Sequence, residues 1–147
     1  MKIFFSLLLL FCAISTSAQL SFPQGFKQIM GENGTGIEDV YTNGRYSFLT
    51  RRQPVSYDDS VWNNTKFQQQ YFSAVFGFPF YRTKDSLWWG TGKVGNFYSY
   101  VVADRGGSPI ELTSMYNDSG FSYYSKWLLS TIREYRRKGK IIMFPMH

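Results

Sequence analysis

Apolar and polar positions recur along this chain with two different periods, and the places where the period changes divide it into elements. Behind Lys2 an apolar run fills residues 3–14 and closes in Ser15, Thr16, Ser17 and Ala18. Residues 20–30 predict an extended strand broken by Pro23 and Gly25, followed by a loop through Gly31, Gly34 and Gly36. Residues 40–42 and 46–51 flank Asn43-Gly44, which predicts a hairpin closed by a type I′ turn, because that turn needs positive φ at both central positions. After Pro54 the period lengthens. Phe67, Tyr71, Phe72, Val75 and Phe76 predict one apolar helical face, capped near Asp58 or Asp59 and ended by Gly77 and Pro79. Strands follow over residues 87–91, 97–104 and 110–116, the last two joined by Arg105-Gly106-Gly107-Ser108-Pro109. A final helix over residues 122–138 sets Tyr124, Trp127, Leu128, Ile132 and Tyr135 on one side and stops at Gly139. Residues 141–144 form a short strand or an ordered tail.

Strands, helix, strands, helix is the order of an α+β domain, an antiparallel sheet covered by helices in an α/β/α sandwich-like arrangement. No repeat and no Pro/Ser-rich linker divides the chain, so residues 19–147 are expected to form a single domain. The segment Phe22-Pro23-Gln24-Gly25-Phe26-Lys27 resembles the opening strand of PsbP-like domains. The hairpin over residues 98–116 followed by Ser125-Lys126-Trp127-Leu128-Leu129 is similar in order to their closing strands and C-terminal helix. The resemblance covers about half of the chain after the leader and implies a partner-binding, non-enzymatic role.

Residues 1–18 have the layout of a secretory signal peptide, with small residues Thr16 and Ala18 placed for cleavage before Gln19. The apolar run, about 12 residues, falls short of the roughly 20 needed to span a bilayer core. The single cysteine, Cys12, lies inside that run and lacks the small preceding residue of a lipobox. The chain beyond Ala18 then carries no disulfide, no thiolate nucleophile and no cysteine-bound metal. The expected location is outside the cytoplasm, periplasmic or extracellular, with no transmembrane segment after cleavage. Aromatic residues make up 20% of the chain and charged ones 18%, a composition able to build a core. Net charge is +6, and loss of Lys2 leaves 15 basic against 10 acidic residues, +5, which favours anionic partners without naming one.

Catalytic chemistry finds little footing. The only histidine, His147, is the last residue, so a serine or cysteine nucleophile has no base in the chain interior, and ordinary zinc ligands are short as well. No catalytic residue, metal ligand or cofactor is expected. Carboxylates remain at Asp39, Asp58, Asp59, Asp85, Asp104, Glu111 and Asp118, mostly in or beside turns, where capping and turn formation account for them. Glu111 interrupts a strand and is expected to face outward. Gly90, Gly92 and Gly95 have the wrong spacing for a phosphate loop and predict a bent or bulged strand.

Aromatic and basic side chains are the remaining candidates. Trp88 and Trp89 are adjacent in a strand and must point to opposite faces, so at least one belongs to the core. With Tyr98, Tyr100, Tyr123 and Tyr124 they are candidates for stacking on sugars or entering a partner's pocket. On a helical wheel from Tyr124, Lys126, Arg133 and Arg137 fall within about 40° of one another with Arg136 beside them, an expected exposed basic face. The binding candidates are therefore Trp88, Trp89, Lys126, Arg133, Arg136 and Arg137. The leading expectation is an exported, non-catalytic binding or interaction domain for a protein or anionic partner, without specific nucleic-acid binding. The alternatives are an exported carboxylate-dependent hydrolase acting on glycans, and an inhibitor or immunity-type protein. Mass spectrometry of the exported chain is expected to find Gln19 at its N-terminus; an intact Met1 or a lipid on Cys12 would contradict the leader assignment.

Overall fold

Runs of aromatic and β-branched residues suit the pleated sheet, and the described residues use them in seven strands. In the computed structural model these are β1 (Lys27–Met30), β2 (Ile37–Thr42), β3 (Ser47–Arg51), β4 (Phe80–Arg82), β5 (Trp88–Val94), β6 (Phe97–Ala103) and β7 (Ile110–Ser114). Among the described residues two helices accompany them, α1 (Thr65–Phe76) and α2 (Ser119–Arg137). Residues 20–30, 37–51, 64–104 and 109–139 are described. The leader with Cys12, the loop at Gly31, Gly34 and Gly36, the caps at Asp58 and Asp59, residues 105–108, the segment 141–144 and His147 lie outside them.

Every neighbouring pair of strands is antiparallel, and the order across the sheet is β1-β2-β3-β7-β6-β5-β4. This is the single-domain α+β arrangement expected from the sequence, with a helix on each face. Strand β4 goes unread in the sequence, because three residues are too few to show a period. Helix α1 begins at Thr65 behind Asn64, whose side chain caps Phe67 N–H at 3.2 Å. Helix α2 begins three residues before the expected start, because Asp118 is its N-cap and takes the Phe121 N–H at 3.0 Å.

The β2–β3 turn corrects the type I′ expectation. Thr42 pairs with Ser47, so the loop holds four residues. Only Gly44 is left-handed, at φ +93°, while the Asn43 side chain accepts the N–H groups of Arg45 and Tyr46. An Asx turn has replaced the two-residue turn.

Period-two alternation gives each face its own core. Toward α2 point Tyr46, Phe48, Leu112, Ile110 and Val102, which meet Phe121, Leu128 and Ile132. Trp127 packs beside them on Phe48, ring centroids 5.2 Å apart. Toward α1 point Phe80, Trp88, Val101 and Ala103, against Phe72, Phe76 and Phe78. The buried stripe of α1 is Gln68, Phe72 and Phe76, at i, i+4 and i+8. Val75, expected within it, is exposed, because it lies one residue off that stripe.

Gly90 and Gly92 explain how α1's aromatic residues reach the sheet. A Cβ at Gly90 would lie 2.7 Å from the Phe80 ring and one at Gly92 2.7 Å from Phe78. The register from Trp88↔Ala103 to Val94↔Phe97 is unbroken, so the expected bulge is absent from β5 and the glycines are floor for aromatic rings instead. Gly95, at φ +60°, starts the two-residue turn into β6 as a type II′ turn requires.

Leu128→Ala, at a fully buried site under α2, is expected to cost about 2–5 kcal/mol of stability in denaturant unfolding. Gly90→Ala is expected to cost about 1–3 kcal/mol by overpacking against Phe80. A loss below about 1 kcal/mol in both would contradict this packing.

Candidate functional site

Helix α2 is held to the sheet at both ends by ion pairs. At its start Asp118 accepts from the Tyr46 hydroxyl at 2.5 Å and from Arg45 Nη2 at 2.8 Å, in addition to capping Phe121. Tyr46, Arg45 and the Phe121 N–H together hold the Asp118 carboxyl below the usual range, while burial and the same carboxylate push the Tyr46 hydroxyl up. Gly120 is required beneath this contact, since a Cβ there would collide with the Tyr46 hydroxyl. Near its other end Arg133 reaches Asp85 in the β4–β5 turn at 2.6 Å, and Arg136 donates to the Asp85 carbonyl and lies 3.8 Å from Asp104. Arg133, with a 2.6 Å bond from Thr83, lowers the Asp85 carboxyl to about 2. Ser86 in the same turn takes a left-handed φ of +69°, a conformation disfavoured for serine that the Thr83 bonds to Ser86 and Leu87 enclose.

These contacts rearrange the sequence-derived candidates. Trp88 is only 3% exposed in the α1 core, where its indole N–H donates to Gln68 at 2.8 Å, so it offers no free face. Trp89 points the other way, half-buried between Tyr81 and Tyr100, with centroids at 5.1 and 6.1 Å. Burial pushes the Tyr100 hydroxyl up to about 12. The basic face is divided rather than shared. Phe121, Ser125, Leu128 and Ile132 are the buried residues of α2, so its sheet-facing centre is displaced from Tyr124 toward β5. Arg133 and Arg136 therefore lie on a shoulder within reach of acidic partners. Arg137 pairs with Glu134 at 2.6 Å, and Lys126 is exposed.

Exposed apolar side chains gather elsewhere, at the end of the sheet where β5 turns into β6 and β7 leaves for α2. Val94 is 54% exposed and Phe97, its direct cross-strand partner, 48%. Met115, 57% exposed, lies in the bend just beyond Ser114, the last residue of β7, which pairs with Tyr98. Val94 and Phe97, directly opposite one another, have side chains about 5 Å apart on the α1 side, and Met115 joins them at the same end of the sheet. Phe78, over Gly92, closes the inner edge of this cluster. Around the end Tyr116 is also exposed, with the Arg45 guanidinium 3.7 Å from its ring centroid, and Lys93 Nζ stands 5.2 Å from the ring of Tyr98. Sequence reading singled out Tyr98 and Tyr123, but not Val94, Phe97 or Met115. Their signal is the apolar pair Val94 and Phe97 flanking Gly95-Asn96, where a hairpin tip ordinarily carries polar residues.

Described carboxylates have partners of their own: Asp39 accepts from Gln28 at 2.8 Å, and Ser99 donates to Glu111 at 3.0 Å. Glu111 is 7% exposed, correcting the expectation that it faces outward. Its cross-strand neighbours are Leu49 and Val101 on the α1 side. Among the described residues no three His, Cys, Asp or Glu gather as metal ligands, and no helix is long and apolar enough to cross a membrane. A depression of ≈ 370 Å³ runs along one side of α2, lined by Ser130, Thr131, Glu134, Tyr135 and Lys138. No protein-family model, curated protein or solved structure matches the chain.

Because folding depresses the Asp85 and Asp118 carboxyls, their contribution to stability is complete above the unfolded value near 3.9 and is lost as pH falls from about 4 toward 2. Urea midpoints are therefore expected to drop across that window, and less steeply in Asp85→Asn. Parallel curves for the two proteins would show that the Arg133 pair contributes nothing.

Proposed function

We propose that this chain is an exported, non-catalytic interaction domain that meets its partner with the end of the sheet carrying Val94, Phe97 and Met115. The observation that carries the reading is the cluster itself: Val94 and Phe97, cross-strand partners, and Met115 in the bend after β7 are each about half exposed at one end of the sheet. Exposed apolar patches of this kind mark binding surfaces, since water contact there costs free energy that a partner removes. Arg45 and Lys93 add positive charge at the same end, on the opposite face of the sheet. The carboxylates support the same reading, because Asp85, Asp104 and Asp118 are engaged by arginines that hold the fold together. The resemblance to PsbP-like domains points in the same direction, toward partner binding. Export follows from the leader pattern of residues 1–18.

A photo-crosslinking residue in place of Phe97, with one at Ser130 on the exposed side of α2 as control, tests the reading in the cell that exports the chain. Adducts are expected at position 97 well above the control. Equal adducts at both positions would remove this end of the sheet as the binding surface.

A further inference from the structure

We infer that the partner of this end is an anionic lipid surface, an inference that rests on the end being a binding surface at all. Val94 and Phe97 flank the Gly95-Asn96 tip of the β5–β6 hairpin, and Met115 stands beside them where β7 ends. A cluster of three half-exposed side chains is small beside the roughly 20–30 residues a side of a standard protein interface. It suffices for shallow insertion, in which a few side chains enter the acyl boundary and the backbone stays among the headgroups.

The surrounding chemistry fits that depth. Tyr116 is amphipathic and sits at the rim of the cluster, the position tyrosine favours at a membrane interface. Arg45 and Lys93 stand at the same end on the α2 side of the sheet, each over a tyrosine ring, and Asp118, paired with Arg45, is the one carboxylate among the described residues at this end. This end is therefore net positive, complementary to phosphate headgroups of an acidic leaflet, and the chain beyond the leader, at +5, adds to the attraction. A second copy of the chain is a poorer occupant. In a two-fold pairing of the same end each copy would set its Arg45 and Lys93 against those of the other.

Flotation with vesicles tests this directly, using phosphatidylcholine alone and phosphatidylcholine with about a third phosphatidylglycerol. The chain is expected to float with the anionic vesicles and to dissociate as salt rises, because exposed charges are screened beyond about 8 Å at physiological ionic strength. The double variant Phe97→Ser/Met115→Ser is expected to weaken partition about tenfold, in line with the transfer of apolar side chains. Lys93→Gln is expected to weaken it about fivefold on anionic vesicles and not on neutral ones. All three positions are exposed, so unchanged thermal unfolding will show that the variants fold; Val94→Ser replaces the double variant if it does not. Failure to float with anionic vesicles at low salt, or flotation that the apolar variants leave unchanged, would overturn the inference. Crosslinks at position 97 without flotation would leave the binding surface standing and exclude lipid; the loss of both would remove both.

Discussion

A sheet apolar on both faces cannot stand in water, and covering it is the constraint from which the rest of this structure follows. Alternation along β6 sends Tyr98, Tyr100 and Val102 to one side and Ser99, Val101 and Ala103 to the other, so each face demands its own helix. Helix α2 meets the demand on one side with Phe121, Leu128 and Ile132, and it is kept in place by Asp118 on Tyr46 and Arg45 and by Arg133 and Arg136 on the Asp85 turn. The ion pairs are exposed and individually weak. What they supply is position, because one sits at each end of a helix whose middle is held by burial.

On the other side the same constraint is met differently. Helix α1 and the segment after it deliver Phe72, Phe76, Phe78 and Phe80 onto β5, where Gly90 and Gly92 let the rings lie against the backbone. That cover follows β4, β5 and the far part of β6, and it ends at Phe78. Beyond it Val94, Phe97 and Met115 meet solvent. The exposed cluster is thus where aromatic packing stops while the strands run on, and it lies at the end of the molecule where Arg45 and Lys93 also gather.

Local pattern made the α+β class and six of the strands readable, because each face's apolar period survives in the sequence. The opposed directions of Trp88 and Trp89 were readable too, being forced by strand geometry alone. Long-range facts were not. Glu111 reads as an outward residue from its neighbours, and its bond with Ser99 depends on β6 lying beside β7. The arginines of α2 read as one solvated face because a wheel drawn from Tyr124 does not know where the sheet is; Asp85, 48 residues earlier in the chain than Arg133, decides it. Glycines at positions 90 and 92 read as a bend for the same reason, as their partners Phe80 and Phe78 arrive from another element. The cluster was hidden because Val94, Phe97 and Met115 each look like ordinary strand residues until the helices are seen to stop short of them.

Binding to the proposed lipid surface orients the molecule, its hairpin tip toward the membrane and its β4–β5 turn, held by Arg133 and Arg136, away from it. Nitroxide labels placed at Asn96 and at Lys84, with accessibility to oxygen and to a water-soluble nickel complex measured on anionic vesicles, read that orientation directly. The label at 96 is expected to become oxygen-accessible and shielded from nickel while the label at 84 stays in water. Two labels equally exposed to nickel on vesicle-bound protein, or the label at 84 becoming the shielded one, would contradict it.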